Sequence, residues 1–208
     1  MIIGIDIDDT VAKTNSSLMD AAIRFDKEYL GGRGFKNKEA YSLKELFYWT
    51  DEDVSNFMKT VRTGELFTEL SPVHNSVFYI NKLYDLGYKI YFITRRKNTA
   101  HMLKITMQWL EKYEFKYHKL IMGMSEKGEI CKSELVDLFI DNDIKHVREV
   151  MDQGIDAILM GDDFNGDATD VRRVTTWEEV YDYVARWLYG EISWWRKDAR
   201  FRWFWSIY

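Results

Sequence analysis

Residues 1–12 read MIIGIDIDDTVA: an apolar run from Met1 to Ile5, then Asp6, Asp8 and Asp9 within four positions. The run shows no polar alternation, so it reads as a strand covered on both faces, as in a parallel sheet. Three carboxylates at the dry end of such a strand repel one another. Each also loses hydration unless positive charge sits among them. A cation from outside the chain would answer both costs.

Working outward, segments 88–94, 119–123, 136–141 and 155–160 share that near-continuous apolar character. Helical patterns lie before and between them, at about 75–86, 98–113, 127–135 and 144–153, the first closed by Gly87 as a C-cap. Strand and helix alternating in this way predict an α/β fold with a Rossmann-like, doubly wound parallel sheet. The interval from the first strand to the second is too long for a simple crossover. It reads as a wholly helical insert, with Ser42–Glu45 and Thr50–Asp53 spaced as capping boxes and Gly31, Gly32 and Gly34 breaking the pattern. The expected organisation is a core of 1–15 and 74–176, a small helical cap of 16–73, and a C-terminal aromatic and basic segment of 177–208.

Each predicted strand but the third runs into polar or acidic residues: Asp6-Ile7-Asp8, Thr94-Arg95-Arg96, Asp141-Asn142-Asp143 and Gly161-Asp162-Asp163. Open α/β sheets bind ligands outside the carboxyl ends of their strands, so these segments converge on one edge. Taken singly, each is also what a polar loop looks like. Composition bounds the rest. The 208 residues are 46% hydrophobic and 30% charged, and 34 acids against 29 bases give a net charge of −5, which makes no case for a nucleic-acid polymer. Cys131 is the single cysteine, so no intrachain disulfide forms and a reducing, cytoplasmic setting is expected. There is no signal-peptide pattern and no apolar run near the ~20 residues of a transmembrane helix.

The constellation resembles the haloacid-dehalogenase superfamily of phosphatases. DIDDT (6–10) is similar to its Asp-x-Asp-x-Thr motif, YFIT ending at Thr94 to its second motif, Lys127 to its third, and DLFIDND (137–143) to its fourth. Lys132 is the alternative for the third. The resemblance implies Asp6 as nucleophile, forming an aspartyl-phosphate, and Asp8 as general acid and then base. It implies Mg²⁺ held by Asp6, the Asp8 carbonyl and Asp141, and phosphoryl oxygens bound by Thr94, the Arg95 N–H and Lys127. Thr10 would steady the turn around Asp8. Where many members carry two adjacent acids, this chain has Asn142 and then Asp143, which would orient metal-bound water.

The stretch LSPVHNSVFYINKLYDLGYKIYFITRR (70–96) further resembles the 5′(3′)-deoxyribonucleotidase group, which implies a nucleoside monophosphate as the small phosphorylated substrate. A different phosphometabolite, such as a sugar phosphate, and a non-catalytic binding protein on the same fold are the alternatives. LFYW (46–49) in the cap is open to two readings, a base-stacking surface or the cap's own core. His74, His101, His118 and His146 show no ligand spacing and read as ordinary residues, and DDFNGDATD (162–170) fails as a calcium loop at Ala168 and Val174. The Trp-rich segment from Trp177 is open to packing on the core, a homodimer contact, an anionic membrane surface or another partner.

Overall fold

The computed structural model describes residues 1–40, 42–123, 125–161 and 169–188. Six parallel strands form one sheet: β1 (Ile2–Ile5), β2 (Lys89–Thr94), β3 (Lys119–Met122), β4 (Leu138–Asp141), β5 (Asp156–Met160) and β6 (Arg172–Val174), in the order β3-β2-β1-β4-β5-β6. The chain winds outward from β1 through β2 to β3, then returns beside β1 and winds the other way. The crevice between β1 and β4 is therefore the switch point of the sheet.

The apolar strands are buried because both faces are covered. Ile3, Ile5, Ile90, Phe92, Leu138 and Ile140 pack against α5 (Ser76–Asp85), α6 (Ala100–Lys112) and α9 (Trp177–Leu188), through Ile80, Leu83, Trp109, Trp177 and Val180. Ile93, Phe139 and Leu159 pack the other way, against α7 (Lys127–Ser133) and α8 (Ile144–Asp152), through Cys131, Val147 and Val150. Gly4 is required by close approach: a Cβ there would lie 2.9 Å from Phe139 Cδ2. The sequence reading missed β6, a three-residue edge strand of which only Val174 is buried.

The insert is not wholly helical, which corrects that expectation. It contains α1 (Thr14–Tyr29), α2 (Leu43–Leu46), α3 (Asp51–Arg62) and α4 (Glu65–Thr68). Between α1 and α2 the chain is irregular, with Gly31, Gly32 and Gly34 at positive φ and an isolated bridge from Phe35 to Phe47. The buried Asp26 organises this turn, accepting from Trp49 Nε1 at 2.7 Å and from the Gly34 N–H at 2.9 Å. Thr50 and Asp53 form the expected capping box of α3. Leu46, Phe47 and Trp49 are buried with Ala22 and Phe57 as the insert's own core, while Tyr48 is exposed.

At the end of the described chain, α9 lays Trp177, Val180, Tyr183 and Val184 into the main core. The Trp177 indole donates to the Thr10 carbonyl at 3.0 Å. The remainder of the Trp-rich segment, 189–208, lies outside the described residues, as does most of the 162–170 stretch. Among the described residues no helix is long and apolar enough to cross a membrane.

Candidate active site

Asp6 follows directly on β1, and its N–H donates to the Ile140 carbonyl at 2.9 Å, so the β1–β4 ladder delivers Asp6 beside Asp141 at the switch point. The chain then turns tightly. Val11 and Ala12 both donate to the Ile7 carbonyl, and Asp9 takes a left-handed φ of 56°. The start of α1 holds the two remaining acids, with Thr14 Oγ1 donating to Asp8 Oδ1 at 2.6 Å and the Asn15 N–H to Asp9 Oδ1 at 2.9 Å. Thr10 is buried and accepts from the Asn142 N–H at 3.1 Å, tying the first acidic loop to the one after β4.

Helix α7 supplies Lys127. Gly128 lets α7 approach the α8 backbone, where a Cβ would collide with the Glu149 carbonyl, and Lys127 is thereby set beneath the sheet edge. Its Nζ lies 2.5 Å from Asp6 Oδ1 and 2.6 Å from Asp141 Oδ2, and its side chain is 1% exposed. Lys132, the alternative, is exposed and bonded to Gln153, so the structure brings Lys127 to the site and not Lys132.

A shallow pocket opens above this trio. Asp6, Asp8, Asp9, Asp141 and Asp143 line it with Asn142, facing Arg95, Lys127 and His146. Thr94 is brought to the end of β2 but lies wholly buried behind the wall, where its hydroxyl accepts from the Arg96 N–H at 3.2 Å. Asp143 caps α8, and its N–H donates to Asp141 Oδ1 at 2.8 Å. With its amide turned to donate, Asn142 reaches the Asp8 carbonyl at 3.0 Å and Asp141 Oδ1 at 3.3 Å.

Two residues of this site were not expected from sequence. His146, read as ordinary, is buried one turn into α8 with Nδ1 3.2 Å from Asp141 Oδ2. The signal available was its position three residues after the Asp143 cap. Arg96 is buried and forks onto Asp8, with Nη2 at 2.8 Å from Oδ1. Its signal was the place two residues beyond Thr94, on the same side of the strand end.

The electrostatics show how heavily the acids load this edge. Burial, helped by the charges of Asp141 and Asp8 and opposed by Lys127, pushes the Asp6 carboxyl up to about 7. Burial acts the same way on Asp141, yet His146, Lys127 and the Asp143 N–H outweigh it and hold its carboxyl below the usual range. Burial opposes the charge of Lys127, but Asp6 and Asp141 together raise its pKa. Five carboxylates against two permanent cations line the pocket, which leaves room for further positive charge.

Among the described residues no three His, Cys, Asp or Glu side chains converge as a metal cluster. The Asp6 and Asp141 carboxylates and the Asp8 carbonyl, the set the family resemblance implies, could hold a cation here. These are hard oxygen donors and few in number, the set that suits Mg²⁺, which keeps several waters and uses one or two carboxylates.

A family described as 5′ nucleotidase, deoxy (pyrimidine), cytosolic type C protein matches residues 1–188. A protein of Chlorobaculum tepidum named "Putative 5'(3')-deoxyribonucleotidase" is 25% identical over 128 residues, and the match spans 60% of each chain. A haloacid dehalogenase-like hydrolase from Streptococcus pneumoniae superposes with a TM-score of 0.61 at 16% identity, over 88% of this chain and 97% of that one. A structure titled "putative beta-phosphoglucomutase from Thermotoga maritima" superposes with a TM-score of 0.65 at 15% identity, over 89% and 99%. At such identities the two likenesses show the fold alone.

Proposed function

Because the chain belongs to the 5′ nucleotidase, deoxy (pyrimidine), cytosolic type C family, on a haloacid-dehalogenase fold, we propose that it is a Mg²⁺-dependent phosphomonoesterase acting on nucleoside monophosphates. The observation that carries the reading is Lys127 Nζ bridging Asp6 and Asp141 at the switch point, 2.5 and 2.6 Å from the two carboxylates. A buried nucleophile needs its charge held without being masked, and one shared cation among clustered acids does that.

In this reading Asp6 attacks phosphorus in line and becomes the aspartyl-phosphate, while the leaving oxygen departs with its electron pair. Asp8 gives that oxygen a proton, then takes one from the water that hydrolyses the acyl-phosphate. Lys127 and the Arg95 N–H bind phosphoryl oxygens as charge builds on them, and Thr94 at the end of β2 joins them once its hydroxyl turns from the Arg96 N–H. Asp6, the Asp8 carbonyl and Asp141 would hold Mg²⁺, with Asn142 and Asp143 orienting its waters. Bound there, the ion supplies Lewis-acid stabilisation of the phosphoryl group and neutralises the carboxylates.

The test is phosphate release from deoxy- and ribonucleoside monophosphates and from sugar phosphates, with Mg²⁺, with EDTA, and with Asp6→Asn protein. Metal-dependent release favouring nucleotides and lost in Asp6→Asn is expected. Release from sugar phosphates alone would move the substrate, and release from none would leave a binding protein.

A further inference from the structure

Arg96 stands just outside the pocket wall and has no part in the chemistry described so far. Its side chain is 2% exposed, against 31% for Asp8. Nη2 and Nε contact Asp8 Oδ1 at 2.8 and 3.2 Å, and Nε also contacts Oδ2 at 3.1 Å. Behind the fork, Nη1 reaches Thr106 Oγ1 on α6 at 3.4 Å, and the guanidinium lies 4.8 Å over the Phe67 ring of α4. A planar cation fixed from behind by a helix and an aromatic face fixes in turn the plane of the carboxylate it grips.

The contacts on Asp8 are uneven. Oδ1 receives Thr14 Oγ1, Nη2 and Nε, whereas Oδ2 receives only Nε among the described residues. Oδ2 is thus the oxygen with room for a transferable proton. We propose that Arg96 is a positioning residue, which orients Asp8 so that Oδ2 delivers the proton to the leaving oxygen as the P–O bond breaks. This rests on the reading of Asp8 as the general acid. It assigns the aim of that acid to a side chain outside the four motifs.

The experiment compares kcat/KM for a nucleoside 5′-monophosphate, whose alkoxide needs a proton to leave, with p-nitrophenyl phosphate, whose phenolate does not. Relative to the aryl ester, kcat/KM for the nucleotide should fall about tenfold or more in Asp8→Asn and Arg96→Met, and less in Arg96→Lys. In an Asp8→Asn background, adding Arg96→Met should change the nucleotide rate by less than about twofold, because Arg96 acts through Asp8. Arg96→Lys keeps a cation beside Asp8, so its smaller split between the esters carries the comparison even if Arg96→Met alone folds poorly. Equal losses on both esters, or losses that multiply in the double variant, would overturn the proposal. If Asp8→Asn shows the split and Arg96→Met does not, Arg96 loses its role while the nucleotidase reading stands. A wild-type protein inert on both esters overturns the two together.

Discussion

Asp6 shows most clearly what the site costs at the scale of one residue. As the proposed nucleophile it would need its charge, yet burial and two neighbouring acids push its carboxyl up to about 7, with Lys127 only partly opposing them. An unfolded aspartate releases its proton near ~3.9. Between those two values the folded chain holds a proton that the unfolded chain has lost, so stability falls as pH rises through that window. In EDTA, the melting temperature of the wild type should drop from pH 4.5 to pH 7.5 more steeply than that of Asp6→Asn. Thermal melts at the two pH values check this, and parallel slopes would refute it. Asp6, Lys127 and Asp141 were legible in the sequence because each sits where a strand ends or a helix begins. His146 and Arg96 were not, because their roles depend on which way a helix turn and a strand end face, and spacing alone does not report that.

Among the secondary-structure elements, α7 is the one on which the site depends most. It is short, and its depth is set by Gly128 against the Glu149 carbonyl of α8. Gly128→Ala should therefore push α7 outward, costing about 1–3 kcal/mol through overpacking. It should also withdraw Lys127 from Asp6 and Asp141, so phosphatase activity should fall by more than the unfolded fraction explains. Urea unfolding and turnover measured on one preparation separate the two effects. The first five strands and the helices between them were readable from apolar runs with capped helical patterns between. The sixth strand was not, because Arg172-Arg173-Val174 carries almost no apolar signal at the sheet edge. The break after α1 was readable from Gly31, Gly32 and Gly34, but the way it is ordered was not, because that order comes from Asp26 binding Trp49 and Gly34, contacts 23 and 8 residues away.

Across the whole molecule, the chain has one thiol with which to follow unfolding. Cys131 is fully buried on α7 among Ile93, Phe139 and Val147, and burial pushes its thiol up to about 12. A protonated, enclosed thiol is a poor nucleophile. At pH 8 the native protein should stay unmodified by iodoacetamide over the time in which the denatured chain is fully alkylated. Mass spectrometry reads the adduct, and rapid native labelling would show that α7 opens on its own.

The sheet order sets β1 between β2 and β4, so the first acids of the chain meet partners made much later. Lys127 lies 121 residues beyond Asp6, Asn142 lies 132 beyond Thr10, and Trp177 closes on Thr10 from 167 residues away. During synthesis the acidic loop therefore leaves the ribosome long before its counter-charge. A nascent chain carrying the whole of DIDDT therefore lacks these contacts until most of its length has been made, and the opening loop is shaped by the chain's own later arrivals.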